Sequence, residues 1–119
     1  KQEDAQARRS TTDKLEALNN KWPDDAQIAF IYAGGLFNLS LKQEDAQTLQ
    51  ITTEKLEALN ERWPNDAEIA LIYAGGLFKL SAKEEDAQAF QITTDKLGAL
   101  SDRWPDNSII KEVCRSAKR

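Results

Sequence analysis

Histidine and methionine are missing from this sequence of 119 residues, and Cys114 is its one cysteine. Without histidine, the chain lacks the side chain that most often serves as a general base and as a metal ligand. A lone thiol without an imidazole partner is a poor nucleophile, and it cannot form an internal disulfide. We therefore expect no enzyme, no catalytic residue, no cofactor and no metal, with Cys114 in the core.

Long apolar runs and an excess of positive charge are also missing. No stretch approaches the ~20 consecutive apolar residues that a membrane-spanning helix needs. The net charge is -4, whereas nucleic-acid-binding proteins usually present a basic face. We expect neither nucleic acid nor a membrane as partner. No signal peptide is recognisable, so the location stays unknown, and the cytoplasm is the default expectation.

Two glycine pairs and three acidic clusters are the remaining places to look for a ligand site. Gly34-Gly35 and Gly75-Gly76 lack the spacing of a phosphate-binding loop. The acidic clusters lack the alternating ligands of a calcium loop; they are Asp24-Asp25, Glu44-Asp45 and Glu84 to Asp86. We interpret the glycines as sites of close helix packing. We interpret the acids as helix caps and solvated surface, with weak cation binding as the alternative.

What the sequence does contain is a repeat of 41 residues. Residues 1–41 and 42–82 are identical at 29 of 41 positions, and a third copy follows over 83–119. Each copy has a Trp-Pro pair near its middle, beginning at Trp22, Trp63 and Trp104. A period of this length is typical of helical solenoids, in which successive copies stack. The sequence predicts one helical-repeat domain over residues 1–119.

Each copy is predicted to form two antiparallel helices, which gives about six in an all-α fold. The longer helix runs from about Lys42 to Arg62, with an apolar stripe of Ala46, Leu49, Leu56, Leu59 and Trp63 around Thr53. Ser40 with Gln43, and Ser81 with Glu84, fit capping boxes at helix starts. Trp-Pro ends the longer helix. The next residue, Asp24, Asn65 or Asp106, is the predicted cap of a shorter helix such as 66–80.

Repeated threonines and tryptophans suggest packing first and ligand contacts second. Thr-Thr pairs recur in mid-helix, where a hydroxyl can bond to a backbone carbonyl one turn back and bend the helix. Bending is the preferred interpretation, with a ligand contact as the alternative. The three tryptophans end an apolar stripe, so we expect them in the core rather than as stacking surfaces.

The two ends of the chain depart from the repeat. Arg8 and Ser10 stand where later copies have apolar residues. The last helix, predicted over 106–118, keeps the apolar stripe Ile110, Val113, Cys114 and Ala117 but gains Lys111, Glu112, Arg115 and Arg119. One apolar and one polar face are typical of a helix that caps a solenoid. We interpret the chain as the C-terminal part of a longer repeat protein.

Phe30, Ala33-Gly34, Phe37 and Ala46 recur in the next copy as Leu71, Ala74-Gly75, Phe78 and Ala87. This pattern of a bulky residue, a small pair, an aromatic residue and a later alanine resembles the tetratricopeptide repeat. The family unit has about 34 residues, and we place the additional seven in the longer helix. The resemblance implies a right-handed α-solenoid that binds a protein or peptide on its concave face.

The same resemblance implies which residues line that face. They are the family's groove positions in the shorter helices, namely Ile28, Ile31, Gly35, Asn38 and Leu39, then Ile69, Ile72, Gly76, Lys79 and Leu80. Asn38 and Lys79 are polar and differ between copies, so they are the preferred contacts. The alternative function is a structural spacer or a self-associating rod without a dedicated ligand, which nearly identical copies would suit.

Overall fold

The computed structural model describes the backbone of residues 2–117 and the side chains of residues 9–117. Residues 2–117 form six α-helices and no strand, as predicted. The helices are α1 (Gln2–Lys21), α2 (Ala26–Lys42), α3 (Ala46–Arg62), α4 (Ala67–Lys83), α5 (Ala87–Arg103) and α6 (Ser108–Ala117). Consecutive helices pair as hairpins, α1 with α2, α3 with α4 and α5 with α6. The right-handed sense of the superhelix stays a prediction.

The predicted alternation of long and short helices is wrong, because α2, α3, α4 and α5 all contain 17 residues. Ser40 and Ser81 lie inside α2 and α4 rather than at the start of the next helix. The hydroxyl of Ser40 donates to the Phe37 carbonyl at 2.6 Å, which binds it within its own helix. The additional residues of the unit are therefore not confined to one helix.

Aspartates cap the helices that the serines were expected to cap. The carboxylate of Asp45 accepts the backbone N–H of Thr48 at 3.3 Å, and that of Asp86 accepts the N–H of Gln88 at 3.4 Å. The odd-numbered helices of the second and third copies thus begin at Ala46 and Ala87, four residues later than predicted.

The caps of the even-numbered helices lie one residue after the predicted ones, at Asp25, Asp66 and Asn107. In each case the side-chain oxygen accepts two backbone N–H groups at 3.0–3.1 Å. The shift arises in the turn, where the N–H of the cap residue donates to the tryptophan carbonyl at 3.1 Å. Closing this turn requires two residues between tryptophan and cap, so the residue after proline is left free for another contact.

The helices form two layers with different spacing. Helix α4 packs on both α2 and α6, so the even-numbered helices form a continuous layer. Among the described residues, no Cα atom of α1 lies within 8 Å of one in α3, and the same holds for α3 and α5. Because a curved stack is more closely spaced on its inner side, we expect α2, α4 and α6 on the concave side.

The core follows the predicted apolar stripes. Leu49, Leu56 and Leu59 are at most 4% exposed. In α6, Ile110 is 0% and Ala117 4% exposed, while the charged residues of this helix face solvent; they are Lys111, Glu112 and Arg115. The predicted half-polar last helix is confirmed, and Cys114 is buried as expected. Arg119, which belonged to the predicted polar face, lies outside the described residues.

The tryptophans and threonines agree only in part with the expectations. Trp63 and Trp104 pack against the core, but Trp22 is 54% exposed, so its predicted core position is wrong. Thr94 donates to the Gln91 carbonyl at 3.1 Å within its own helix. Thr52 donates instead to the Gln43 side chain at 2.9 Å. The two threonines thus have different partners, and bending of the helices by threonine stays a prediction.

Candidate functional site

Three of the eight predicted contact residues lie in the core. Leu39 is 7%, Ile69 0% and Leu80 5% exposed, so these side chains are removed from the candidate surface. Ile28 and Ile72 are half-buried, and Ile72 packs against the core. Of the six isoleucines and leucines among the predicted contacts, only Ile31 is exposed, at 54%.

The exposed strip of α2 agrees only in part with the predicted contacts. The predicted Ile31 and Asn38 are exposed together with Phe30 and Leu41, whereas the predicted Leu39 faces the core. A shift of one residue turns a helix position by about 100°, which is enough to exchange a solvent-facing side chain for a buried one. The reason is that α4 is covered from four neighbouring helices, so only a narrow strip remains open.

Apolar side chains that sequence reasoning did not assign to the site occupy this strip. Phe30 is 41%, Leu41 48% and Phe78 40% exposed, and Leu71, the counterpart of Phe30 in the next copy, is half-buried. We call Phe30, Leu41, Leu71 and Phe78 the inner strip. The counterpart of Phe30 and Leu71 in the last copy is the charged Glu112, so the sequence shows only that this position changes where the stack ends.

Lysines lie at the C-terminal end of the inner strip. Lys79 donates to the Leu41 carbonyl at 2.8 Å, and Lys83 pairs with Glu44 at 2.7 Å. Burial lowers the pKa of Lys79, and the hydrogen bond from Lys83 lowers the pKa of Glu44. The predicted contact Lys79 is thus held against the end of α2, where its charge also complements the helix dipole. Asn38, the other preferred contact, is exposed.

The opposite side of the molecule carries two related grooves between the odd-numbered helices. The larger, of about 330 Å³, lies between α1 and α3 and is lined by Tyr32 and the ion pair Glu16–Lys55, whose atoms are 3.1 Å apart. The smaller, of about 210 Å³, repeats this arrangement with Tyr73, Glu57 and Lys96. Burial, followed by the charge of the nearby glutamate, raises the pKa of each tyrosine.

The polar groove residues are present only where one copy packs on the next. The third copy has Gly98, Ser101 and Cys114 where the first has Glu16, Asn19 and Tyr32. No later copy packs on it in the described structure, and the polar set is absent there. This agreement indicates that the grooves belong to the joints between stacked copies. They are therefore the weaker candidates for a ligand site.

Comparisons of the chain with protein-family models, curated protein sequences and solved structures give no match. The site therefore has to be judged from its own geometry. Within the described residues, no helix is long and apolar enough to cross a membrane. The same part of the chain brings together no three His, Cys, Asp or Glu side chains that could hold a metal ion. What remains is an apolar strip with a cationic end.

Proposed function

We propose that this protein is an interaction scaffold that binds an apolar segment of a protein partner along the inner strip. The observation that supports this function is the exposure of Phe30 and Phe78, 41% and 40%, on the layer of even-numbered helices. Neighbouring apolar side chains that remain in water are typical of interaction surfaces. Aromatic anchors also contribute much of the binding energy at such surfaces.

The lysines at one end of the strip suggest the chemistry of the partner. Lys42 is exposed, and Lys79 and Lys83 lie beside it at the ends of the even-numbered helices. The preferred segment would place apolar side chains against Phe30 and Phe78 and an acidic side chain near these lysines. The tetratricopeptide resemblance supports the same function. Membership of that family is part of this proposal.

A peptide-display selection tests the proposal. Peptides selected on the unmodified protein should carry clustered apolar residues followed by an acid. Their affinity, measured by fluorescence anisotropy, should fall at least about tenfold in the double variant Phe30→Ala, Phe78→Ala, because removing two anchors of ~1 kcal/mol or more multiplies Kd accordingly.

The odd-numbered helices offer a matched control. Ile51 and Ile92 are 53% and 51% exposed, so the double variant Ile51→Ala, Ile92→Ala removes a similar exposed apolar surface from the other side. It should leave the affinity unchanged. Equal loss in both double variants, or selection of no peptide at all, would count against the inner strip.

A structural spacer is the second candidate, favoured by the identical contacts that join successive copies. Lys55–Glu16 and Lys96–Glu57 have the same 3.1 Å separation, and Arg62 and Arg103 donate to the equivalent carbonyls of Pro23 and Pro64. Such regular joints suit a rod. Light scattering distinguishes the two functions, because a rod-former should associate with rising concentration and a peptide-binding scaffold should not.

A further inference from the structure

The first copy leaves open a face that the later copies have covered. Leu18 is 45% exposed, whereas its counterpart Leu59 is 4% exposed. Trp22 is 54% exposed, whereas Trp63 packs against the core. The same contrast separates Ile31, which is 54% exposed, from the half-buried Ile72. We call Leu18, Trp22, Ile31 and Gly34 the upstream face.

Gly34 marks an unfilled contact on this face. A Cβ atom built at its counterpart Gly75 would lie 2.8 Å from the Phe37 ring, so Gly75 receives the phenylalanine of the preceding copy. A Cβ atom at Gly34 would meet none of the described atoms within 4 Å. The receiving surface is therefore present in the first copy, and the aromatic side chain that fills it elsewhere is not in the described structure.

Charged side chains repeat the same pattern. Lys55 and Lys96 each pair with a glutamate of the preceding copy. Their counterpart in the first copy, Lys14, is exposed. Lys21 is likewise exposed at the position of the arginines that donate to the preceding copy's proline carbonyl. The upstream face thus offers cations in the places where a preceding copy would supply acceptors.

A second molecule of this chain does not fit that face by its last hairpin. The surface that would have to dock carries Lys111 and Arg115 where the second copy has the fully buried Ala70 and Ala74. It also has Gly98 in place of the glutamate that Lys14 would need. Docking would bury unpaired cations, which is costly.

We propose that one more helical hairpin of this repeat, joined in tandem ahead of α1, packs on the upstream face. That hairpin presents a phenylalanine at the position of Phe37 and a glutamate at the position of Glu16. This hairpin packs against the first copy in the same way as the first copy packs against the second. This inference does not depend on the inner strip as a binding site.

An extended chain tests it directly. A copy of residues 42–82 is placed ahead of Lys1. Its last residue, an alanine, is then followed by Lys1-Gln2-Glu3, much as Ala82 is followed by Lys83-Glu84-Glu85 in the chain. In a background with the other tryptophans replaced by phenylalanine, Trp22 emission should shift to the blue and acrylamide should quench it less than in the unextended chain.

The substitution Gly34→Ala supplies a second readout. In the unextended chain it meets open space, so the melting temperature should stay the same or rise. In the extended chain the new methyl group should collide with the added phenylalanine and lower the melting temperature. Gly98→Ala is the control, because its Cβ also meets nothing within 4 Å, and its effect should be the same in both chains.

Two results would overturn the proposal. One is an added hairpin that melts separately while Trp22 stays as accessible as before and Gly34→Ala acts alike in both chains. The other is shielding of Trp22 in the unextended chain as its concentration rises, because a second molecule would then be the occupant.

Discussion

Gly34 and Gly75 occupy the same position in successive copies, yet a methyl group added at each would meet different surroundings. The difference is the Phe37 ring, which lies against Gly75. In the next junction the receiving position is Ser116, and the phenylalanine opposite, Phe78, is 40% exposed. Even a small side chain at the receiving position is thus accompanied by a more exposed aromatic ring.

We expect Gly75→Ala to lower the free energy of unfolding. Alanine gains up to about 1 kcal/mol over glycine within a helix, but overpacking against the Phe37 ring should cost about 1–3 kcal/mol. Urea denaturation measures the balance. Gly98→Ala is the matched control and should be stabilising, since its methyl group has open space. If both substitutions stabilise equally, Phe37 adjusts freely and the close approach is not specific.

Tyr32 and Tyr73 predict a dependence of stability on alkaline pH. Burial is the main cause that raises the pKa of both phenols above the usual value of 10.0. The unfolded chain therefore releases these protons at lower pH than the folded chain does. The resulting stabilisation is fully present below pH 10.0 and is lost as the pH rises above it.

The double variant Tyr32→Phe, Tyr73→Phe isolates this effect. Its free energy of unfolding, measured by urea denaturation between neutral pH and about pH 11, should decline less steeply than that of the unmodified protein. Lysine deprotonation contributes equally to both proteins and cancels in the comparison. Identical slopes would show that the phenols titrate alike in the folded and unfolded states.

At the scale of helices, the sequence correctly predicted where helices end but not which residue caps the next one. Trp-Pro correctly predicted where α3 and α5 end, because proline excludes the residue before it from a helix. Which of two adjacent polar residues caps the next helix was not predictable from residue type, since Asp24 and Asp25 are equally good caps. The closing hydrogen bond to the Trp22 carbonyl decides in favour of Asp25.

The pair Asp106 and Asn107 allows a clean test of this assignment. Asn107→Ala should lower the free energy of unfolding by about 1 kcal/mol, because the N–H groups of Ile109 and Ile110 lose their acceptor. Asp106→Ala, one residue earlier on the exposed turn, should change it by less than about 0.5 kcal/mol. Thermal and urea denaturation followed by circular dichroism measure both. The reverse order would restore Asp106 as the cap.

Helix faces were harder to predict than helix existence. The apolar stripes of α3 and α6 were foreseen because polar residues occupy the opposite face in each. Helices α2 and α4 are apolar on most sides, so periodicity alone did not separate Ile31, which is 54% exposed, from its counterpart Ile72, which is half-buried against the core. That difference comes from the position of a copy in the stack and not from the residue type.

At the scale of the whole molecule, the two ends of the stack are chemically unlike. The upstream face exposes Leu18, Trp22 and Ile31, while the exposed surface of α6 carries Lys111 and Arg115. Association of two molecules through these ends would bring charged groups against an apolar surface and is disfavoured. The ion pairs between copies fix how neighbouring copies align but contribute little stability, because their side chains are partly exposed to solvent.

Exchanging four cations and one glycine of the last copy for their counterparts in the second copy should therefore turn the protein into a head-to-tail polymer. The variant combines Lys111→Ala, Arg115→Ala, Lys118→Leu, Arg119→Phe and Gly98→Glu, which restore the counterparts Ala70, Ala74, Leu77, Phe78 and Glu57. An end that docks on an unlike end of the next molecule cannot close on itself unless the geometry forms a ring, so open chains should grow with concentration. Analytical ultracentrifugation measures their size.

Adding Ile31→Lys to the variant removes the receiving surface and should return the protein to monomers. If the variant without Ile31→Lys already stays monomeric, the polar end is not what prevents stacking between molecules.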